Sequence, residues 1–271
     1  MKPNQAIKVY ARGGAILLTA ILQGNCGTVI MERSESGAIS RGAAMPFRAY
    51  AQGNGFCIAV NYNGRILSSS DEISWSDINE VNDSVRLFFR AAAYGNDTFV
   101  VVGGSYVGAP NAIVTLKRRK VWTFSDSGTR DTLFGVAFGA GRFVAVGDHG
   151  AILTSKDGIC WRKRNSGTSD TLFASVAFGD NIFVAVGDTG TIVTSHDGVK
   201  WQAHLSGTCS YLNKVSYDAG AFWATGTGGL VLVSTDGIEW ISRPPPLTAP
   251  VIGALDQQMK SGVQQTSKTR P

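Results

Sequence analysis

Ser155, Asp157, Gly158 and Trp161 recur as Ser195, Asp197, Gly198 and Trp201, and a third time as Ser234, Asp236, Gly237 and Trp240. A hydroxyl two residues before a carboxylate suits either proton transfer or the capping of turn amides. The glycine beside each aspartate decides between them. Glycine permits the positive backbone angle of a tight turn, serine and aspartate accept bonds from that turn's N–H groups, and the tryptophan ring covers the apolar side. The constellation reads as a hairpin staple, a structural role repeated three times.

The other reactive residues assemble no catalytic set. His149, His196 and His204 have no carboxylate or cysteine set at ligand spacing, so no metal is expected. Cys26, Cys57, Cys160 and Cys209 do not follow the repeat, and no pair has ligand spacing. Cys57 replaces a strand phenylalanine and reads as a buried thiol. The chain has neither a serine nucleophile elbow nor a phosphate-cradling glycine loop. No catalytic residue and no cofactor is expected, and the chain is not expected to be an enzyme.

The staples sit in a longer period. Trp122, Trp161, Trp201 and Trp240 are spaced by 39, 40 and 39 residues. Within the copy starting at Thr171, four β-rich runs are separated by turn residues: Phe173 to Phe178, Ile182 to Val186, Thr191 to Thr194, and Val199 to His204. None shows a helical apolar period. Four short strands per unit of about 40 residues describe a propeller blade, which must stack on its neighbours to bury both faces. Weaker copies end at Trp75 and Trp122, and Gly27-Thr28-Val29-Ile30 resembles Gly190-Thr191-Ile192-Val193. The expected fold is therefore all-β: a single β-propeller of about six four-stranded blades over residues 1–243. In this count residues 1–45 form a degenerate first blade, and 244–271, rich in Gln, Ser, Thr and Lys, form an extended C-terminal tail.

Of 271 residues, 33 are glycine and only 17% are charged, a deficit that points to surface covered by a partner. The formal charge of +5 is dispersed, with one tight run at Lys117-Arg118-Arg119-Lys120, so nucleic acid is not the expected partner. Lys2, Lys8 and Arg12 before Ala15 to Leu22 imitate a short secretion signal, but that segment also matches a blade strand and its apolar core is short. No run is long enough to span a membrane as a helix.

The three staples resemble the Asp-box (BNR) repeat family, over roughly residues 46 to 243. That family includes sialidases and many non-catalytic propellers, photosystem II assembly factors among them. The resemblance implies a propeller with its Asp-box hairpins on the ring face opposite the usual ligand site. A sialidase-like hydrolase would require three arginines around a carboxylate, a tyrosine nucleophile with its glutamate, and an aspartic acid, and no counterpart of that set is placed here. A cluster drawn from Arg48, Arg65, Arg86 and Arg90 stays open as the hydrolase alternative.

Binding residues are expected on the face shared by the second-to-third-strand loops and the blade connections. That mouth gathers Asp148, His149, Asp188 and Thr189 with Arg130, Asp131 and Asp170. An insertion from Ser105 to Asn111 falls on the same face and offers Tyr106 and Asn111 as contacts. In the third repeat Arg118 and Arg119 replace the Asp and Gly of the staple, leaving a basic tip suited to an acidic partner. The expected role is a structural or docking component among the other proteins of an assembly, a phage virion or bacterial envelope part. The alternative ligand is a glycan, bound by a lectin-like propeller.

Overall fold

The computed structural model describes residues 8–11, 16–19, 28–33, 39–61, 65–71, 74–77, 87–105, 112–117, 121–168 and 173–243. All strand pairing in it is antiparallel. Strands β1 (Lys8–Ala11) and β2 (Ile16–Thr19) pair with each other alone. A first sheet contains β3 (Thr28–Arg33), β4 (Ile39–Gly53), β5 (Phe56–Asn61), β6 (Ile66–Ser69) and β7 (Ser76–Asp77) in that order. The second consists of β8 (Leu87–Gly95), β9 (Thr98–Ser105), β10 (Ala112–Lys117) and β11 (Val121–Asp126).

The third and fourth sheets repeat that meander. They comprise β12 (Leu133–Gly139), β13 (Arg142–Gly147), β14 (Ile152–Ser155) and β15 (Arg162–Arg164), then β16 (Phe173–Gly179), β17 (Ile182–Gly187), β18 (Ile192–Ser195) and β19 (Gln202–His204). The fifth comprises β20 (Leu212–Asp218), β21 (Ala221–Gly226), β22 (Val231–Ser234) and β23 (Ile241–Arg243).

The strands form because each apolar run ends at residues able to turn. Asp180 and Asn181, for example, both take positive φ between β16 and β17. Stacking then buries the runs. Ile182, Val184 and Val186 of β17 pack against Leu212, Val215, Phe222 and Ala224 of the fifth sheet, while Phe183 and Ala185 of the same strand face Val144 and Val146 of the third. A strand buried on both sides needs apolar residues at consecutive positions, hence Ile-Phe-Val-Ala-Val.

A second device sets the spacing between sheets. A Cβ placed on Gly53, Gly95, Gly139 or Gly179 would fall inside the ring of Tyr94, Phe138, Phe178 or Tyr217, respectively, each contributed by the next sheet. The glycine at the end of one first strand thus seats the aromatic residue at the end of the next. Gln52 stands in the aromatic place of the first sheet and Asp218 in the glycine place of the fifth, so the series stops at both ends.

The six-blade expectation is not met among the described residues. Five sheets have the blade meander, and the described parts of 8–46 form the β1–β2 and β3–β4 pairings in place of a four-stranded sheet. The packing that joins sheets runs β4 on β8, β8 on β12, β12 on β16 and β16 on β20, and among the described residues no comparable contact returns from the fifth sheet to the first. The series is open. Its last face shows it: Val144 and Val184 are fully buried, whereas their counterpart Trp223 is 40% exposed. The tail 244–271 lies outside the described residues.

Candidate functional site

The staples form as their residue types dictate. Asp157 Oδ1 accepts the N–H of Ile159 and of Cys160, each at 2.9 Å, and the Ser155 hydroxyl at 2.8 Å. Asp197 and Asp236 repeat those three bonds with their own hairpins. Trp161, Trp201 and Trp240 each donate the indole N–H to the carbonyl of Gly158, Gly198 or Gly237. The Lys200 amide beside Asp197, and the Glu239 amide beside Asp236, hold those carboxyls below the ordinary value of 3.8. Burial pushes Asp157 upward, but the Cys160 and Ile159 amides and Ser155 outweigh it and its carboxyl is also lowered. These aspartates are committed to turns.

The described residues of the expected mouth lie in turns and connections between strands. A short 3₁₀ turn, Asp148–Gly150, follows β13, and Asp188–Gly190 follows β17. The Asp148 N–H donates to the Thr132 carbonyl at 3.0 Å, which ties the turn to the connection entering its own sheet. His149 Nδ1 lies 3.0 Å from Asp131 Oδ1, and Thr129 Oγ1 donates to Asp131 Oδ2 at 2.6 Å. Tyr211, in the following connection, has its phenol pushed up by burial and then by the Asp188 and Asp148 carboxylates. Among these residues His149 and Asp131 share a hydrogen bond, while Asp148 and Asp188 lie near enough to Tyr211 to add their charge to the effect of burial on its phenol. Thr189 holds φ 51° there, a left-handed conformation that is costly for a β-branched residue. Arg130 is exposed at the edge of the same connection.

Tyr211 was not among the residues singled out from sequence. Its signal was its place at the end of the Ser-Gly-Thr connection that precedes the fifth sheet. The ladders also share an irregularity: β4, β8, β12, β16 and β20 each skip one residue against the next strand, and the extra residue is Arg48, Arg90, Phe134, Ala174 or Asn213. The guanidinium of Arg90 stacks over Phe88 at 5.0 Å and Phe134 at 5.3 Å. Arg65, by contrast, pairs with Asp77 at 2.7 Å between outer strands. Tyr106, Asn111, Arg118, Arg119, Asp170 and Arg86 lie outside the described residues, as does Cys26. Cys57 is buried as expected, and Tyr50 donates its hydroxyl to the Cys57 sulfur at 3.0 Å. Cys160 and Cys209 are exposed. Among the described residues no group of three or more His, Cys, Asp or Glu side chains could hold a metal ion, and no helix is long and apolar enough to cross a membrane.

Set against known proteins, the chain resembles solved structures of a propeller type. It superposes on YCF48 bound to D1 peptide with a TM-score of 0.55 and 16% identity, covering 72% of this chain and 67% of that one. The likeness is one of fold. YCF48 from Cyanidioschyzon merolae matches with a TM-score of 0.54 at 14% identity, covering 73% and 70%. A chain in a nidogen/laminin complex matches at 0.55 and 13%, covering 73% and 80%. No family model matches the chain, and no curated protein matches it.

Proposed function

We infer that this protein is a propeller-type docking module that recognises other proteins and performs no catalysis. The observation that carries the inference is the use of its repeated polar groups: Asp157, Asp197 and Asp236 each spend an oxygen on three bonds within their own hairpins. What remains at the surface is rim, loop and edge, the equipment of recognition. Two similar solved propellers support the reading, one bound to a D1 peptide and the other in a nidogen/laminin complex. A place in a phage virion or bacterial envelope is the finer form of the proposal, and it rests on the low charged fraction of 17%.

The test is direct assay of the alternatives. The full chain should release no fluorophore from aryl sialosides or aryl hexosides and should retain no oligosaccharide on a glycan array. Turnover that survives repurification, or saturable binding to one glycan class, would overturn the docking reading in favour of the hydrolase or the lectin.

A further inference from the structure

On the face opposite the mouth, beside the third-sheet staple, lies a cavity of about 270 Å³. Arg142, Lys156, Arg162 and Arg164 line it together with Asp157 and Cys160. Four cations meet one carboxylate there, and its Oδ1 already accepts the Ser155 hydroxyl and two hairpin amides. Among the described residues none of the four cations is in an ion pair, and the Arg142 Nε is buried with no hydrogen-bond partner. Asp197 of the next hairpin feels the Arg142 charge, though the Lys200 amide is the larger influence on it.

The repeat shows that the fold does not require this charge. In the fourth sheet the counterparts of Arg142, Lys156, Arg162 and Arg164 are Ile182, His196, Gln202 and His204, and in the fifth they are Ala221, Thr235, Ile241 and Arg243. The structural duty of Arg164, a bond from Nε to Thr154 Oγ1 at 2.9 Å, is matched by neutral-capable His204 on Thr194 at 2.8 Å. Four cations gather in the third copy, where the fifth keeps only Arg243 and the fourth has no lysine or arginine, and a charge that the fold does not need is available for recognition.

Strand geometry narrows the ligand. Arg162 and Arg164 lie two residues apart on β15, so their side chains share one face at a spacing of about 7 Å. β15 is the edge of its sheet, paired only with β14 among the described residues. Its cations repel a second copy of itself. An extended segment laid along that edge would repeat its own side chains with the same period.

We propose that this cavity and the β15 edge form a binding site for an extended acidic peptide segment of a partner protein, with carboxylates two residues apart reaching Arg162 and Arg164. The site rests on the docking reading above and names the chemistry of the partner.

The experiment uses the full chain, a labelled peptide of alternating glutamate and threonine, and its glutamine counterpart. Fluorescence anisotropy should show binding of the glutamate peptide alone, weakened at least about tenfold by the double variant R162Q/R164Q and by a rise from 50 to 200 mM salt. Bound peptide should slow alkylation of Cys160 and leave Cys209 unchanged. The single variant K156Q, on an exposed hairpin, should weaken binding by a smaller factor and guards against a double variant that misfolds. Equal binding to wild type and variants, binding of the glutamine peptide, or no protection of Cys160 would overturn the site. So would inorganic phosphate binding as tightly as the peptide, which would mark a small-oxyanion site. If native partners stay bound to R162Q/R164Q while the peptide does not bind, the docking reading stands and this site falls.

Discussion

At Thr189 the mouth holds a β-branched residue at φ 51°, where the fifth copy places Gly228 at φ 70°. Thr189→Gly should therefore raise stability by about 1 kcal/mol, offset in part by the entropy of the unfolded glycine. A chemical-denaturation midpoint checks it, and an unchanged or lower midpoint would mean that the threonine side chain makes compensating contacts. The staples and His204 give opposite-looking groups the same response to acid. Lowered carboxyls at Asp157, Asp197 and Asp236 contribute stability that is present above 3.8 and lost as pH falls through their folded values. His204 is lowered from 6.5 by burial, against the opposing Asp236 charge, so the fold prefers its neutral form and loses that contribution as pH falls below 6.5. Urea midpoints followed from pH 8 to pH 3 should decline in two stages. His204→Gln should remove the upper stage alone, and persistence of that stage in the variant would contradict the assignment.

Between elements, the seating of an aromatic ring on the preceding sheet's glycine makes a sharper prediction than any core side chain. Gly179→Ala puts a methyl group into the Tyr217 ring and should cost about 1–3 kcal/mol, since the sheets must separate or the ring must leave its rotamer. A calorimetric Tm for Gly179→Ala against the double variant Gly179→Ala/Tyr217→Ala tests the pairing: partial rescue by the second change is expected, and additive losses would contradict it. The strands themselves were legible because apolar runs and turn residues alternate at short range, and the staples because Ser, Asp, Gly and Trp keep fixed offsets. The aromatic-glycine step was equally present, at Tyr94-Gly95, Phe138-Gly139 and Phe178-Gly179, yet its meaning depends on which sheet lies against which. The basic cavity was hidden for the same reason. Arg142 and Arg164 are far apart in sequence and meet only through the β13–β14–β15 meander, while attention to Arg118 and Arg119 followed from a broken motif that is local.

At the scale of the molecule, the five sheets with the blade meander among the described residues stack in one direction and leave two unlike ends. The first ends in the buried cluster of Cys57, Ala59, Leu67 and Trp75, and the fifth in a face carrying exposed Trp223 beside Thr225 and Lys214. A ring of identical copies would need the same glycine and aromatic at every junction, and Gln52 and Asp218 break that rule at the two ends of the series. The count of six assumed that a strand-like match near residue 28 continued into a full blade. The match was real as strand, since β3 forms there, but its partner is the extension of β4. The docking account is tested most directly by sedimenting the untagged protein from its native source and identifying by mass spectrometry whatever travels with it. The account predicts migration in a larger species with one or a few proteins in fixed stoichiometry, whereas migration of the whole population as a free single chain would contradict it.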